Sequence, residues 1–372
     1  MSIVINIFKI CMKIVYGILK IFPTDKNKVL FLSRQSNELS LDFQLLKDQL
    51  LEQRPDVKIV AICNRMADGK DGYLKFAWSM VRSMYHLATA TVCVLDAYWP
   101  TVSILNHKKA LTVIQMWHAL GKIKQSGYQT LGKDSGRSEK TSKLLCMHEK
   151  YDIIIAGGKA WNEFYCGSFN TTEDKLLNIG LPRIDHLINT EEQNKEAVYK
   201  IYPKIKEKTV LLYAPTFRRN MEWQWEQLLD AIDYDKYILI IKGHPNQQIT
   251  CDNPAVLTCP EFKAVDLLAV ADYLITDYSA IAIEGAVLNK KTYYFVSDYD
   301  EYKSKNGLNI DLFETMPGCV FRDAKDLAFA LENTEYNKQA LDHYREKYLP
   351  QNLGQQAETL AKVVIDKLPQ RD

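Results

Sequence analysis

Residues 271–284 read ADYLITDYSAIAIE, an apolar run that stops abruptly at Thr276-Asp277-Tyr278-Ser279. Leu274 and Ile275 read as the end of a buried strand, and 280–288 as a small-residue helix that starts straight after the serine. A strand that hands over directly to a helix leaves backbone N–H groups and the positive end of the helix dipole at the turn, and that arrangement attracts phosphate. Ser279 can donate its hydroxyl to the same anion. The competing reading is that Asp277 or Ser279 only caps the helix.

The same alternation extends in both directions from this segment. Short, β-branched apolar runs at 29–32, 57–63, 92–95, 111–115 and 153–156 predict a parallel sheet covered on both faces, with helical patterns at 41–51 and 74–87 between them. The series stops near Gly180-Leu181-Pro182, a Glu/Lys-rich stretch follows, and a second series runs through 210–213, 237–241, 256–258, 273–276 and 292–296. Two βαβ series in tandem predict an α/β protein of two doubly wound, Rossmann-type domains facing each other across a cleft. The expected division is 1–24 as an amphipathic helix, 25–190 and 205–350 as the two domains, and 351–372 as a C-terminal helix.

With 372 residues the chain is long enough for two full cores, and its net charge of +1 gives no bulk attraction to nucleic acid. Eight cysteines are scattered without a CxxC pair, as in a reduced, cytosolic protein. The N-terminal SIVINIFKICMKIVYGILKIFP places Asn6, Lys9, Lys13 and Lys20 on one helical face, opposite Ile3, Ile5, Phe8, Ile14, Ile18 and Phe22. Lysines near the middle argue against a spanning helix. The pattern predicts a helix in the membrane interface with its lysines toward anionic headgroups, on the cytoplasmic face. The alternative is a helix packed on the protein body.

Ligands bind beyond the carboxyl ends of strands in such sheets, and polar residues gather there. The strand at 111–115 runs into Met116-Trp117-His118-Ala119-Leu120-Gly121, that at 210–213 into Ala214-Pro215-Thr216-Phe217-Arg218-Arg219, and that at 237–241 into Lys242-Gly243-His244-Pro245-Asn246. His118 is a candidate base, since imidazole titrates near neutral pH. Pro245 holds His244 extended and aims its ring out of the strand end, where it suits a phosphate. One of Arg218 and Arg219, with Arg218 weakly favoured, is placed to meet phosphate beside Thr216. Glu284 shares a helix face with Asp277 and is either a ribose-hydroxyl acceptor or an ordinary exposed residue. The polar stretch 121–143, GKIKQSGYQTLGKDSGRSEKTSK, reads as a mobile loop that covers the cleft or meets an anionic acceptor; a plain solvated connection is the alternative.

YAPTFR, the His244-Pro245 pair, LITDYS with its following acid, NKKTYYFVSDYDEY and Pro317-Gly318 occur in the order typical of one family. With Trp117-His118 in the first half, the chain resembles the CDP-glycerol glycerophosphotransferases that build teichoic acids and related poly(alditol phosphate) glycans. The resemblance spans roughly residues 29–320 and is stronger in the second half. It implies a GT-B fold, with CDP-glycerol in the second domain and a lipid-linked glycan acceptor in the first. By this resemblance His118 is the candidate general base, and His244 and Ser279 contact the donor pyrophosphate. With the strand-end residues read above, His118 and His244 form the expected catalytic pair and Thr216, Arg218, Asp277, Ser279 and Glu284 the expected donor-binding set. Members usually carry Ser-Ser after Asp-Tyr, where this chain has Ser279-Ala280.

The implied reaction is transfer of glycerol phosphate to an acceptor hydroxyl with release of CMP, at the cytoplasmic membrane surface and without nucleic acid. No cofactor or metal is required, although Asp298-Tyr-Asp300 and Asp233-Tyr-Asp235 have DxD spacing. CDP-ribitol as donor, a CMP-sugar glycosyltransferase and a non-catalytic membrane adaptor are the alternative readings.

Overall fold

The computed structural model describes residues 2–65, 70–133, 136–218, 225–243, 251 and 253–370. The chain forms two units. The first comprises Met1–Ala119, Ser126–Arg183 and Pro350–Asp372, and the second Leu120–Gln125 and Ile184–Leu349.

The first unit is built on six parallel strands, β1 (Lys28–Ser33), β2 (Lys58–Cys63), β3 (Val92–Leu95), β4 (Thr112–Gln115), β5 (Ile153–Ile155) and β6 (Leu176–Leu177), in the order β2-β1-β3-β4-β5-β6. Every residue of β1 and β3 is buried, which explains why these strands read as continuous apolar runs. Phe31 stacks on Phe43 of the helix Leu41–Gln53, which Ser40 caps by accepting from Phe43 N. The helix Gln356–Ile365 packs against the same helix through a face that includes Leu360, Ala361 and Val364. Residues 351–372, expected as a separate C-terminal element, therefore return to the first unit.

The second unit repeats the plan with β7 (Thr209–Tyr213), β8 (Tyr237–Ile241), β9 (Val256–Leu257), β10 (Tyr273–Thr276), β11 (Lys291–Phe295) and β12 (Val320–Phe321), all parallel, ordered β12-β11-β10-β7-β8-β9. The helix Ile281–Val287 lies so close to the sheet that a Cβ on Gly285 would stand 2.8 Å from Leu274 Cδ2. The strand order reverses between β1 and β3 in the first unit and between β7 and β10 in the second. Those two points are where doubly wound sheets open a crevice for a ligand.

Two segments make more contact with the protein body than their sequences suggest. The N-terminal helix Ser2–Leu19 turns Lys9, Met12 and Tyr16 inward: Lys9 Nζ donates to Leu144 O (2.6 Å), and Tyr16 OH lies 2.8 Å from His107 Nδ1. Lys20, just beyond it, donates to Asn106 O (3.2 Å), so Lys9 and Lys20 reach the protein body, while Asn6, Lys13, Ile7, Ile10, Ile14 and Ile18 are exposed. Among the described residues no helix is long and apolar enough to cross a membrane. The stretch 121–143 is not a loop free of the body. Its first five residues belong to the second unit, where Lys124 bridges Leu308 and Asn309 N donates to Ile123 O. Farther on, Gly127 (φ 59°) lies against Ser168 O so closely that a side chain there would collide, and Thr130 and Ser142 are buried.

Candidate functional site

The reversal point of the first unit carries His118. Its backbone is set by Trp117, which adopts a left-handed φ of 65°, strained for a tryptophan, and donates its N–H to Gln115 Oε1 (2.9 Å). His118 Nδ1 lies 2.9 Å from the carbonyl oxygen of Asp96 at the end of β3. A carbonyl only accepts, so Nδ1 carries the proton and the neutral ring holds its basic lone pair on Nε2. Gln35 Nε2 also lies 3.2 Å from this Nδ1; being a donor itself, it makes no hydrogen bond to a protonated Nδ1 and only packs beside the ring beyond the end of β1. The Asp96 carboxylate is buried and accepts from Ser33 Oγ (2.6 Å) and from Arg34 N (3.4 Å). Burial, only partly opposed by those bonds, pushes its pKa up to about 6.

A cavity of about 350 Å³ opens beside His118, lined also by Arg34, Tyr98, Trp117, Arg137 and His148. His148, one of five histidines read from sequence as structural, closes an aromatic wall with Trp117 and Phe169 and lies 3.1 Å from Tyr151 OH through Nδ1. Its position beside Glu149 and Lys150 gave the sequence reading no sign of this placement. The left-handed φ values at Cys146, His148 and Lys150, which turn it inward, are not visible in residue types.

In the second unit the reversal point brings Thr216 and Asp277 together. Thr216 N donates to both Asp277 oxygens (2.9 and 3.0 Å), and Thr276 Oγ1 donates to Ala214 O (2.7 Å), which ties the ends of β7 and β10. The Thr216 hydroxyl is buried and, among the described residues, has no hydrogen-bond partner. Ser279 is half-buried and its Oγ accepts weakly from Ile281 N (3.5 Å), so the O–H proton remains for an anion. Asp277 is buried and serves as a strand clamp.

Arg218 departs from its expected role. Its side chain is 2% exposed, and it bonds Asp277 Oδ2 (2.8 Å), Asp298 Oδ2 (2.7 Å) and Thr216 O (3.0 Å) above the stacked rings of Tyr278 and Tyr302. Burial alone would lower its pKa; the two aspartates outweigh this and hold it above the usual arginine value. Its guanidinium is consumed in holding the turn, not presented to a phosphate. Glu284 is 5% exposed, so it is not an ordinary exposed helix residue. His244 and Arg219 lie outside the described residues.

Lys124 supplies a cation the sequence reading left unassigned. Burial lowers its pKa and the nearby Asp277 partly restores it, which places its charge near the end of β10. Three of the four DxD carboxylates are engaged by cations: Asp298 by Arg218, Asp300 by Arg322 (2.7 Å) and Asp233 by Lys236 (3.0 Å). Among the described residues no group of three or more His, Cys, Asp or Glu side chains is arranged for a metal ion.

The family model described as CDP-glycerol:poly(glycerophosphate) glycerophosphotransferase matches residues 14–366. The teichoic acid ribitol-phosphate primase of Bacillus spizizenii is 27% identical, over 92% of this chain and 92% of the relative. The teichoic acid glycerol-phosphate primase of Bacillus subtilis is 26% identical, over 77% and 76%. Among solved structures, the wall teichoic acid polymerase TagF superposes with a TM-score of 0.74 at 16% identity, covering 99% of this chain and 97% of that one. The two-sheet fold is thus of the GT-B-like kind seen in that polymerase.

Proposed function

Because the chain belongs to the CDP-glycerol:poly(glycerophosphate) glycerophosphotransferase family, we propose that it moves glycerol phosphate from CDP-glycerol to a hydroxyl of a membrane lipid-linked glycan, releasing CMP, in the synthesis of teichoic acid or a related surface polymer. The observation that carries this reading is His118, tautomer-locked by the Asp96 carbonyl at the reversal point of its sheet. An alcohol is a weak nucleophile until a base takes its proton. His118 Nε2 accepts that proton as the hydroxyl oxygen attacks the β-phosphorus in line. The bond from that phosphorus to the CMP oxygen breaks, and CMP leaves with the negative charge. Ser279, the Thr216 hydroxyl and the Lys124 ammonium offset charge on the donor phosphates. His244 is assigned to the same phosphates by its Gly-His-Pro sequence, and Arg218 keeps the turn in shape from below.

CDP-ribitol is the second donor reading, favoured by the 92% mutual coverage with a ribitol-phosphate primase. The proposed location is the cytoplasmic face of the membrane, reached through the exposed apolar residues of the first unit.

Incubation of the purified protein with CDP-glycerol or CDP-ribitol and lipid-linked acceptor, with CMP release and product mass as readouts, tests both readings. A glycerol-phosphate increment supports the first and a ribitol-phosphate increment the second. His118→Ala is expected to lower transfer by about 10²–10⁴-fold while leaving CMP binding unchanged. Unchanged turnover in that variant removes His118 from the mechanism.

A further inference from the structure

We propose that Arg34 and Arg137 form a second phosphate site beside His118, one that grips a phosphate ester on the acceptor itself. Arg34 and Arg137 both line the His118 cavity, and among the described residues no Asp or Glu lines it. They are arranged around one residue: Arg34 Nη1 donates to Tyr98 O (3.2 Å), and Arg137 stacks over the Tyr98 ring at 5.2 Å. Phe76, 4.9 Å from the Arg34 guanidinium, supports it from another side.

Elsewhere in the fold Arg54, Arg183, Arg218 and Arg322 each meet an aspartate within 3.7 Å. Among the described residues, the Tyr98 carbonyl is the only acceptor for the Arg34 N–H groups, and the Tyr98 ring the only partner of the Arg137 guanidinium. The Asp96 carboxylate is near enough to be felt by Arg34, but its hydrogen bonds come from Ser33 and from the Arg34 backbone, not from the guanidinium. Burial and the charge of Arg137 pull the Arg34 pKa down, opposed only in part by Tyr98 and Asp96, so two cations stand near each other with less negative charge beside them than they could use. A phosphate between two forked donors relieves that repulsion and satisfies the unused N–H groups.

The cavity is at the small end of ligand pockets, of order 300–1,000 Å³, and suits a unit the size of glycerol phosphate. An acceptor held by its phosphate there presents a neighbouring hydroxyl toward His118. This assignment rests on the transferase reading for the identity of the ligand. Two parts of such an acceptor carry the chemistry: the phosphodiester of an alditol-phosphate unit already in place, and the diphosphate of the lipid carrier.

The test uses the full chain, with glycerophosphoglycerol, an isoprenyl diphosphate, neutral glycerol and CMP as separate calorimetric probes. Wild type is expected to bind at least one of the first two, which identifies the phosphate concerned, and to ignore glycerol. Arg34→Gln/Arg137→Gln is expected to weaken that binding by at least about tenfold, as charge-assisted bonds are lost, while CMP binding stays. In the transfer assay the acceptor KM rises with kcat little changed, and Arg34→Lys restores part of the loss. Arg137 is exposed, so Arg137→Gln alone leaves the core intact and gives a variant free of folding defects. Equal phosphate binding in wild type and the double variant overturns the proposal, as does a parallel loss of CMP binding, which would make these donor ligands. Absence of CMP release by wild type with every acceptor defeats the transferase reading instead, and the binding comparison still decides this site.

Discussion

His118 and Asp96 lie beyond the ends of neighbouring strands and are constrained through different atoms, the ring by the Asp96 carbonyl and the carboxylate by Ser33. A carboxyl raised to about 6 in the fold, against roughly 3.9 unfolded, favours its protonated form. Its contribution to stability is therefore complete below about pH 4 and lost as pH rises through about 6. Asp96→Asn, which cannot ionise, is expected to match wild type in thermal stability at pH 4 and to exceed it at pH 7.5, by at most about 3 kcal/mol; a constant difference between the two pH values contradicts this. Arg218 makes the opposite case. Arg218→Met leaves Asp277 and Asp298 buried without their cation, at a cost of about 3–5 kcal/mol, measurable by urea unfolding. Weakened CMP binding at unchanged stability would restore it as a ligand. The sequence placed Arg218 at the correct strand end but was silent on its partners, because Asp298 is 80 positions away and only the chain's return brings it in.

At the level of elements, the strands were legible because full burial demands apolar, β-branched runs, as in VLFL at 29–32 and YILII at 237–241. β6 and β12 were not, since each is two residues long and carries no period, although the equally short β9 was read within the run 256–258. The N-terminal helix shows a subtler limit: periodicity reveals two faces without saying which one is covered. Leu74, Trp78, Val81 and Tyr85, one stripe of the helix Lys70–Thr89, are exposed as well, and Phe22 meets Tyr85 edge-on at 5.8 Å. Together with Ile7, Ile10, Ile14 and Ile18 they give the first unit an apolar surface on two adjacent helices, the kind that enters a lipid interface. Ile14→Glu/Trp78→Glu is expected to abolish sedimentation with anionic phospholipid vesicles while leaving the melting temperature within a degree or two, since both side chains are more than half exposed (roughly neutral surface changes). Undiminished vesicle binding removes this surface from membrane attachment.

Across the whole molecule, local sequence gave two sheets but not the threading that joins them. Nothing in residue types announces that Pro350–Asp372 goes back to the first unit, because the helix Gln356–Ile365 is an ordinary amphipathic helix until its partner is known. Removal of 350–372 strips the cover from Leu46 and Leu50 on the helix Leu41–Gln53. Hydrogen exchange is expected to quicken there and in β1 while β7 and β10 keep their protection; uniform loss would mean that the units unfold together. The excursion of Leu120–Gln125 has a different consequence. Two positions after His118 the polypeptide leaves the first unit, lays Lys124 alongside Leu308, and comes back at Ser126. Neither half can thus be excised as one continuous piece. An expressed fragment 184–349 would lack the six residues that cover Leu308 and Asn309, and a fragment 1–183 would carry them with nothing to dock on. The boundary a cloner would draw from a linear map does not exist as a single cut.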